Sequence, residues 1–306
     1  VGAFMQAANK VLASINKGPY NGKSWGTYVS LATINRHNKW TRSFSRSDYL
    51  EPNANNANLH VLTGHQVTRV NFDRSNSKSV RATGVQYAAG SGAARQNVHA
   101  RHEVILSGGT INDPQILQLS GIGDSSLLKK HGIDVVVDLP GVGQNLQDHL
   151  SAGMSFKPKR KSDAGQTSLT GNAKTDSFVN TAVSYVDFGK LFKNPGGYVN
   201  KLQSNISSVI NSANVPSEVK AGYKRTYKAQ VNDIFTSKVG PVEILFNVMF
   251  GNINIQAALQ HPLSRGTIKI RSKDPFQAPA IDANYLDHNS DPVSYTHLTL
   301  PKILLV

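Results

Sequence analysis

The 306-residue sequence predicts an α/β fold whose later half turns to an α+β region. Three observations carry that expectation. Val104, Ile105 and Leu106 form a short apolar run of the kind buried on both faces of a sheet, and paired glycines, a helical pattern and a second apolar run follow it. Residues 66–72 alternate apolar and polar with the period of a half-buried strand, and residues 80–88 continue the strand pattern. Residues 196–212 and 217–231 then carry helical patterns in a stretch rich in Asn, Ser and Lys.

From the N-terminus, Phe4, Ala8, Val11, Leu12 and Ile15 recur at helical spacing, and Gly18 and Pro19 stop the pattern. Trp25 and Tyr28 fall in a loop rich in Gly and Asn. Arg42 and Arg46 sit four apart among hydroxyl residues, which fits a helix start with two surface arginines, or an anion site. Residues 59–63 and 66–72 read as strands, as do 80–88 and 98–106 after them, with Gly90, Ser91 and Gly92 as a turn. This succession predicts a meander returning to a parallel sheet.

Ser107, Gly108, Gly109 and Thr110 allow a tight turn and close backbone approach. Asn112 and Asp113 offer caps ahead of Pro114 at a first helical position. Ile116, Leu117, Leu119 and Ile122 give an apolar stripe, broken at Ser120, Gly121, Ile122 and Gly123. Asp124 caps a second short helix, which Gly132 closes after Lys129, Lys130 and His131. Residues 133–137 form the next strand, and Leu139, Pro140 and Gly141 end it. A strand, a glycine turn and a helix fit a nucleotide-binding unit, and a plain structural turn equally. Strand patterns return at 241–246 and 252–255, and Ser217 is read as an N-cap after Pro216.

Lys plus Arg outnumber Asp plus Glu by 33 to 19, a net charge of +14. That balance raises nucleic acid or an acidic surface as partners. No reading motif gathers the charge: Lys157, Lys159, Arg160 and Lys161 form a solvated loop cluster. Cysteine is absent, which excludes disulfides and thiolate chemistry and fits a secreted or a cytoplasmic location. No apolar run of membrane-spanning length occurs. His60, His65, His99, His102 and His131 lack the spacing of metal ligands, so no metal site is expected. Asn205, Ile206 and Ser207 form a glycosylation tripeptide of the kind that arises by chance. Val1 is no initiator, so the chain is expected to begin within a protein or after processing.

The order Ser120-Gly121-Ile122-Gly123, then Lys129 to Val135, then Leu139-Pro140-Gly141-Val142-Gly143-Gln144-Asn145-Leu146-Gln147-Asp148-His149, resembles the glucose-methanol-choline (GMC) oxidoreductase family. Residues 109–123 look like its second signature motif, with Asp113 where the family commonly has Ser. Residues 59–70 (LHVLTGHQVTRV) and His261-Pro262-Leu263-Ser264-Arg265-Gly266 with the segment to Leu286 carry the same resemblance. Ser264, Arg265 and Gly266 are read as a tight turn with a surface arginine, in preference to an anion site.

The resemblance implies an incomplete FAD-binding GMC-type fold with a discontinuous flavin domain. Its parts would be an N-terminal covering segment at 1–58, part of the FAD-binding domain at 59–150, a substrate region at 151–256 and the start of a C-terminal domain at 257–291. It implies FAD as cofactor and a small-molecule alcohol as substrate. The activity would be that of an alcohol oxidase or dehydrogenase, choline dehydrogenase-like, with hydride passing from the CH–OH carbon to flavin N5 while a histidine takes the hydroxyl proton. In relatives the valine matching Val67 contacts the adenine through its backbone, so Val67 is the cofactor candidate, with Ser107 and Gly108 beside it. The phosphate loop and catalytic histidine of the family match no residue here, so no catalytic residue is assigned and this chain alone is expected to hold little FAD. A hydroxynitrile-lyase-like enzyme on the same scaffold and a basic nucleic-acid-binding protein are the alternatives. Residues 293–301 resemble translated sequencing adapter, so 292–306 are expected to be a non-native tail.

Overall fold

A computed structural model describes residues 1–75, 79–160, 165–166, 168–177, 181–289 and 291. Lys161 and the suspected tail lie outside the described residues. The chain opens with α1 (Gly2–Val11), β1 (Gly26–Val29) and the short pair β2 (Ile34–Asn35) and β3 (Thr41–Arg42). A meander follows in β4 (Gln66–Asp73), β5 (Arg81–Ala88) and β6 (Gln96–His99), then α2 (Gly109–Leu119), β7 (Ile122–Gly123), α3 (Ser125–Lys130) and β8 (Val137–Asp138). Next come β9 (Leu150–Phe156), α4 (Ala173–Asp176), β10 (Thr181–Val186), α5 (Phe188–Leu191), α6 (Pro195–Ser212) and α7 (Ser217–Ala229). The last strands are β11 (Val242–Met249), β12 (Asn252–Leu259), β13 (Thr267–Lys269) and β14 (Ala280–Asp282).

Two sheets organise the molecule. The larger is antiparallel in the order β1-β10-β11-β12-β9, so the N-terminal strand closes one edge of a sheet made mostly from the second half of the chain. Strand β11 shows why it has two different faces. Val242, Ile244, Phe246 and Val248 are buried while Glu243, Leu245 and Asn247 between them are half-open, the period-2 alternation of a sheet covered on one side. The covered side packs against α1, α6 and α7. Helix α6 buries Val199, Leu202, Ile206 and Ile210 along one stripe, with Asn194 Oδ1 accepting the Gly197 N–H at 2.9 Å and Pro195 in the first turn. Helix α7 buries Val219, Tyr223 and Tyr227. Phe188 stacks on Phe235 at 4.8 Å, and Phe4 on Phe246 at 4.6 Å. The smaller sheet is the meander β4-β5-β6.

The mixture of helices and strands agrees with the α/β expectation, and several local expectations are corrected. Residues 104–106 form no strand, and Ile105 is 75% exposed. The expected strand 98–106 ends at His99, and residues 59–63 are exposed and irregular. A parallel strand needs hydrogen-bonding neighbours, and among the described residues none runs beside 104–106. Of residues 133–137 only Val137 is in a strand, which it forms with Asp138, paired in parallel with Ile122 and Gly123. Helix α1 stops at Val11, well before Gly18. Helix α2 begins at Gly109, so Asp113 is no N-cap and Pro114 lies inside the helix. The Asp113 carboxylate reaches back instead, accepting the Gly108 N–H at 2.7 Å. Pro216, with Ser217 following it inside the helix, takes the N-cap position of α7.

Two further corrections concern polar residues. The apolar stripe of α2 is not its most buried side; Gln115 and Gln118 are. Gln118 is fully buried, donates to Ile268 O at 3.0 Å and accepts from Ile270 N at 2.9 Å, doing for β13 what a neighbouring strand would. Arg265 is buried as well, with the guanidinium donating to Pro262 O, Ser264 O and Gln230 Oε1 and lying 5.4 Å from the Tyr227 ring centre. Desolvation lowers its pKa from the ordinary arginine value. The turn predicted at 264–266 therefore faces inward because carbonyl oxygens and an aromatic face are ready to receive its charge. Arg42 and Arg46 are exposed, Arg46 pairing with Glu51 at 3.0 Å. Asp124 caps α3 as expected, accepting from Ser126 N and Leu127 N.

Candidate functional site

Val67, Ser107 and Gly108, far apart in sequence, line one cavity of about 670 Å³. Its floor is the meander. Val67 stands near the start of β4, an edge strand, so the outward backbone groups there have no strand partner. A register shift between Val67 and Arg69 throws Thr68 out of the ladder, and Thr68 Oγ1 turns to Gln86. Strand β6 can approach β5 closely because residue 84 is glycine: a Cβ there would lie 2.0 Å from Val98 O. The other wall is the irregular segment 103–108 and the first turns of α2. Ser120 holds that wall to the floor, its hydroxyl accepting the Val70 N–H at 2.8 Å and donating to Ile116 O. The Ser-Gly-Ile-Gly break thus ties helix to strand. Gln66 and Gln115 draw the loop after β13 against the same wall, through Pro275 O at 2.6 Å and Gln277 O at 2.8 Å.

The lining decides what such a cavity can hold. Val67, Val85, Val98, Leu106 and Ile116 give apolar walls, and Ser107, Glu103, Asn112, His65 and His99 give polar groups. No lysine or arginine lines it. The start of α2 would ordinarily attract an anion, but the Asp113 carboxylate already occupies the Gly108 N–H. A neutral flat heterocycle with a ribose fits this chemistry, and a phosphate at Gly108 does not. The adenosine end of a dinucleotide such as FAD matches the residues present. Glu103 and Gln115 escaped the sequence reading, for neither sits in a recognisable spacing.

A second polar surface lies on the open face of the five-stranded sheet. Tyr28, Tyr185 and Glu243 stand on adjacent strands there, with Tyr28 and Tyr185 ring centres 6.1 Å apart. Gln260 donates to Glu243 Oε2, and the Tyr185 hydroxyl is hydrogen-bonded to the same carboxylate. Burial raises the Glu243 pKa, opposed by the charge of His149 and the bond from Tyr185. Burial, then the negative charge of Glu243, pushes Tyr185 up to about 12. Burial lowers His261, with His149 adding to the effect. The charge of His149, at the end of one distinctive sequence segment, thus acts both on Glu243 and on His261, at the start of the other.

The family model described as GMC oxidoreductase matches residues 2–151. The chain is 60% identical over 288 residues to the GMC oxidoreductase family protein Mala s 12 of Malassezia sympodialis, covering 94% of this chain and 46% of that protein. It is 37% identical over 292 residues to an oxygen-dependent choline dehydrogenase of Staphylococcus epidermidis, covering 94% and 45%. A solved FAD-dependent oxidoreductase from Chaetomium thermophilum superposes with a TM-score of 0.82 at 28% identity, covering 97% of this chain and 52% of that one. The chain spans about half the length of the curated relatives it matches. Among the described residues no helix is long and apolar enough to cross a membrane.

Proposed function

The chain belongs to the GMC oxidoreductase family, and on that premise we propose that it forms the adenine-side wall and the substrate-facing sheet of an FAD-dependent enzyme that oxidises an alcohol CH–OH group. The observation that carries the cofactor half of this reading is the cavity shared by Val67, Ser107 and Gly108, which has apolar walls with a few polar groups, no lysine or arginine in its lining, and a Gly108 N–H already taken by Asp113 at the helix start. When bound, FAD would supply the hydride acceptor that protein side chains lack. The chain's own part is positioning. The edge of β4 at Val67 offers backbone donor and acceptor to an adenine rim, Ser107 offers a hydroxyl to the ribose, and the loop held by Gln66 and Gln115 keeps water from that end. Residues 59–150 belong on this reading to the flavin-binding part and residues 151–256 to the substrate part.

The test uses the full-length protein. It should carry flavin absorbance after purification, and that absorbance should bleach when an alcohol is added without oxygen. Gly108→Val places side-chain atoms where a Cβ already meets Asp113 Oδ1 at 2.9 Å and Asn112 Cβ at 3.0 Å, and it should lower FAD retention with the fold intact by circular dichroism. A full-length protein that binds no flavin, or whose flavin no alcohol reduces, would overturn the reading.

A further inference from the structure

We propose that the cleft between the edge strand β4, the turn at Gly132 and the loop after β13 binds a small organic polyanion, a molecule carrying two or more phosphate or carboxylate groups. The inference goes beyond the alcohol-oxidation reading above and does not depend on it. Charge is the first ground. The cleft has a volume of about 510 Å³, and Arg69, Arg74, Arg95 and Lys273, all exposed, line it against a single carboxylate, Asp134. Among the described residues no ion pair joins any of these four cations to a carboxylate. The cavity beside Val67 shares β4 with this cleft and has no lysine or arginine in its lining, so the cations gather locally and are not spread evenly by the net charge of +14. Like charges crowded into one concavity repel, and an anion seated among them would offset that cost.

The second ground is assembly. The four cations come from three separate stretches: β4 and the residue after its end, the approach to β6, and the loop after β13. Arg74 donates to Val135 O at 3.4 Å, and the Arg95 guanidinium lies 5.0 Å from the Phe276 ring centre, so two of the side chains are placed without a ligand. The loop that carries Lys273 is tied down by Gln66 and Gln115 through Pro275 O and Gln277 O. Charged side chains on an edge strand guard it against pairing with another chain, which accounts for Arg69. That role does not account for Arg95 or Lys273, which lie off the edge strand. The third ground is shape and chemistry. A concave space of this size suits a small molecule better than a duplex or a membrane surface. Planar guanidinium groups pair in bidentate fashion with phosphate or carboxylate oxygens. Leu119, Ile133, Val136 and Pro275 add apolar surface for the body of an organic ligand.

The probes are inorganic tripolyphosphate and citrate, titrated into the full-length protein by calorimetry at constant ionic strength, with acetate as the single-charge comparison. The better of the two polyanions is expected to bind at least about tenfold tighter than acetate, and which one it is separates phosphate from carboxylate as the preferred group. Arg69→Gln combined with Lys273→Gln should weaken that probe at least about tenfold. Lys224→Gln combined with Lys228→Gln removes the same charge from exposed positions on α7 and should change it less than about twofold. A measurement on the wild-type protein stands beside these: the bound polyanion should protect Arg69, Arg74 and Arg95 from phenylglyoxal, read by peptide mass spectrometry, and leave the exposed Arg42 reactive. No preference over acetate, equal weakening in both double variants, or equal reactivity of the cleft arginines with and without polyanion would overturn the site. So would a random DNA duplex or an anionic vesicle that holds the cleft cations more tightly than either small anion does. None of these outcomes bears on the flavin reading, which stands or falls on flavin content and its bleaching by alcohol.

Discussion

Replacing Gln118 by leucine probes the way α2 is joined to the C-terminal strands. The side chain is fully buried and spans two backbone groups, donating to Ile268 O at 3.0 Å and accepting from Ile270 N at 2.9 Å, with Val142 O a longer third partner at 3.4 Å. Leucine nearly conserves volume, so a cavity contributes little. What changes is that the Ile270 N–H and Ile268 C=O, on residues that are themselves buried, lose their partner. Each such group costs about 1–3 kcal/mol, giving roughly 2–6 kcal/mol in all. At about 2–4 °C per kcal/mol for a domain of this size class, the melting temperature should fall by about 4–24 °C. Thermal melts by far-ultraviolet circular dichroism and urea midpoints at constant m-value measure it. Ile111→Ala, at an exposed position on the same helix, is the control. A loss below about 0.5 kcal/mol would refute the claim that Gln118 substitutes for a strand.

Three further outcomes follow from the same structure. Gly143 has φ +78°, and a Cβ there would lie 2.1 Å from Ile268 O and 2.5 Å from Gln118 Nε2, so Gly143→Ala should cost about 1–3 kcal/mol and combine non-additively with Gln118→Leu in a double-mutant cycle. Asp124→Ala removes the cap of α3 and should lower stability by about 1 kcal/mol in urea titrations. Hydrogen bonds, first from Ser126, hold the Asp124 pKa below its ordinary value; the stabilisation is therefore present above that ordinary value and lost as pH falls through the folded one, so the wild-type advantage over Asp124→Ala should shrink in acid. Tyr185, pushed up to about 12 by burial and Glu243, gives the opposite sign: its contribution is complete below pH 10 and lost as pH rises toward 12. Ultraviolet titration should show one fewer late-ionising tyrosine in Tyr185→Phe than in the wild type, and an earlier-ionising Tyr185 in Glu243→Gln.

What local sequence determines here is periodicity and identity. The alternation in 66–72 and the stripes of α6 and α7 repeat at spacings fixed by backbone geometry, so they were legible without the fold. The ordered motifs ending at His149 and beginning at His261 were enough to point to the family. Tertiary structure decided which groups become partners. Residues 104–106 have the apolar character of a buried strand, but a strand is a pairing, and no described neighbour pairs with them. Gln118 and Arg265 have the composition of surface residues, and they are buried because carbonyls and amides from distant segments meet them there. Val67, Ser107 and Gly108 stand out in the sequence only through resemblance, and the turn of 103–108 over the meander brings them to one cavity. Glu243 carried no sequence signal at all: its place beside Tyr185 and within reach of the His149 charge is a property of strands assembled side by side, and spacing along one chain cannot express it.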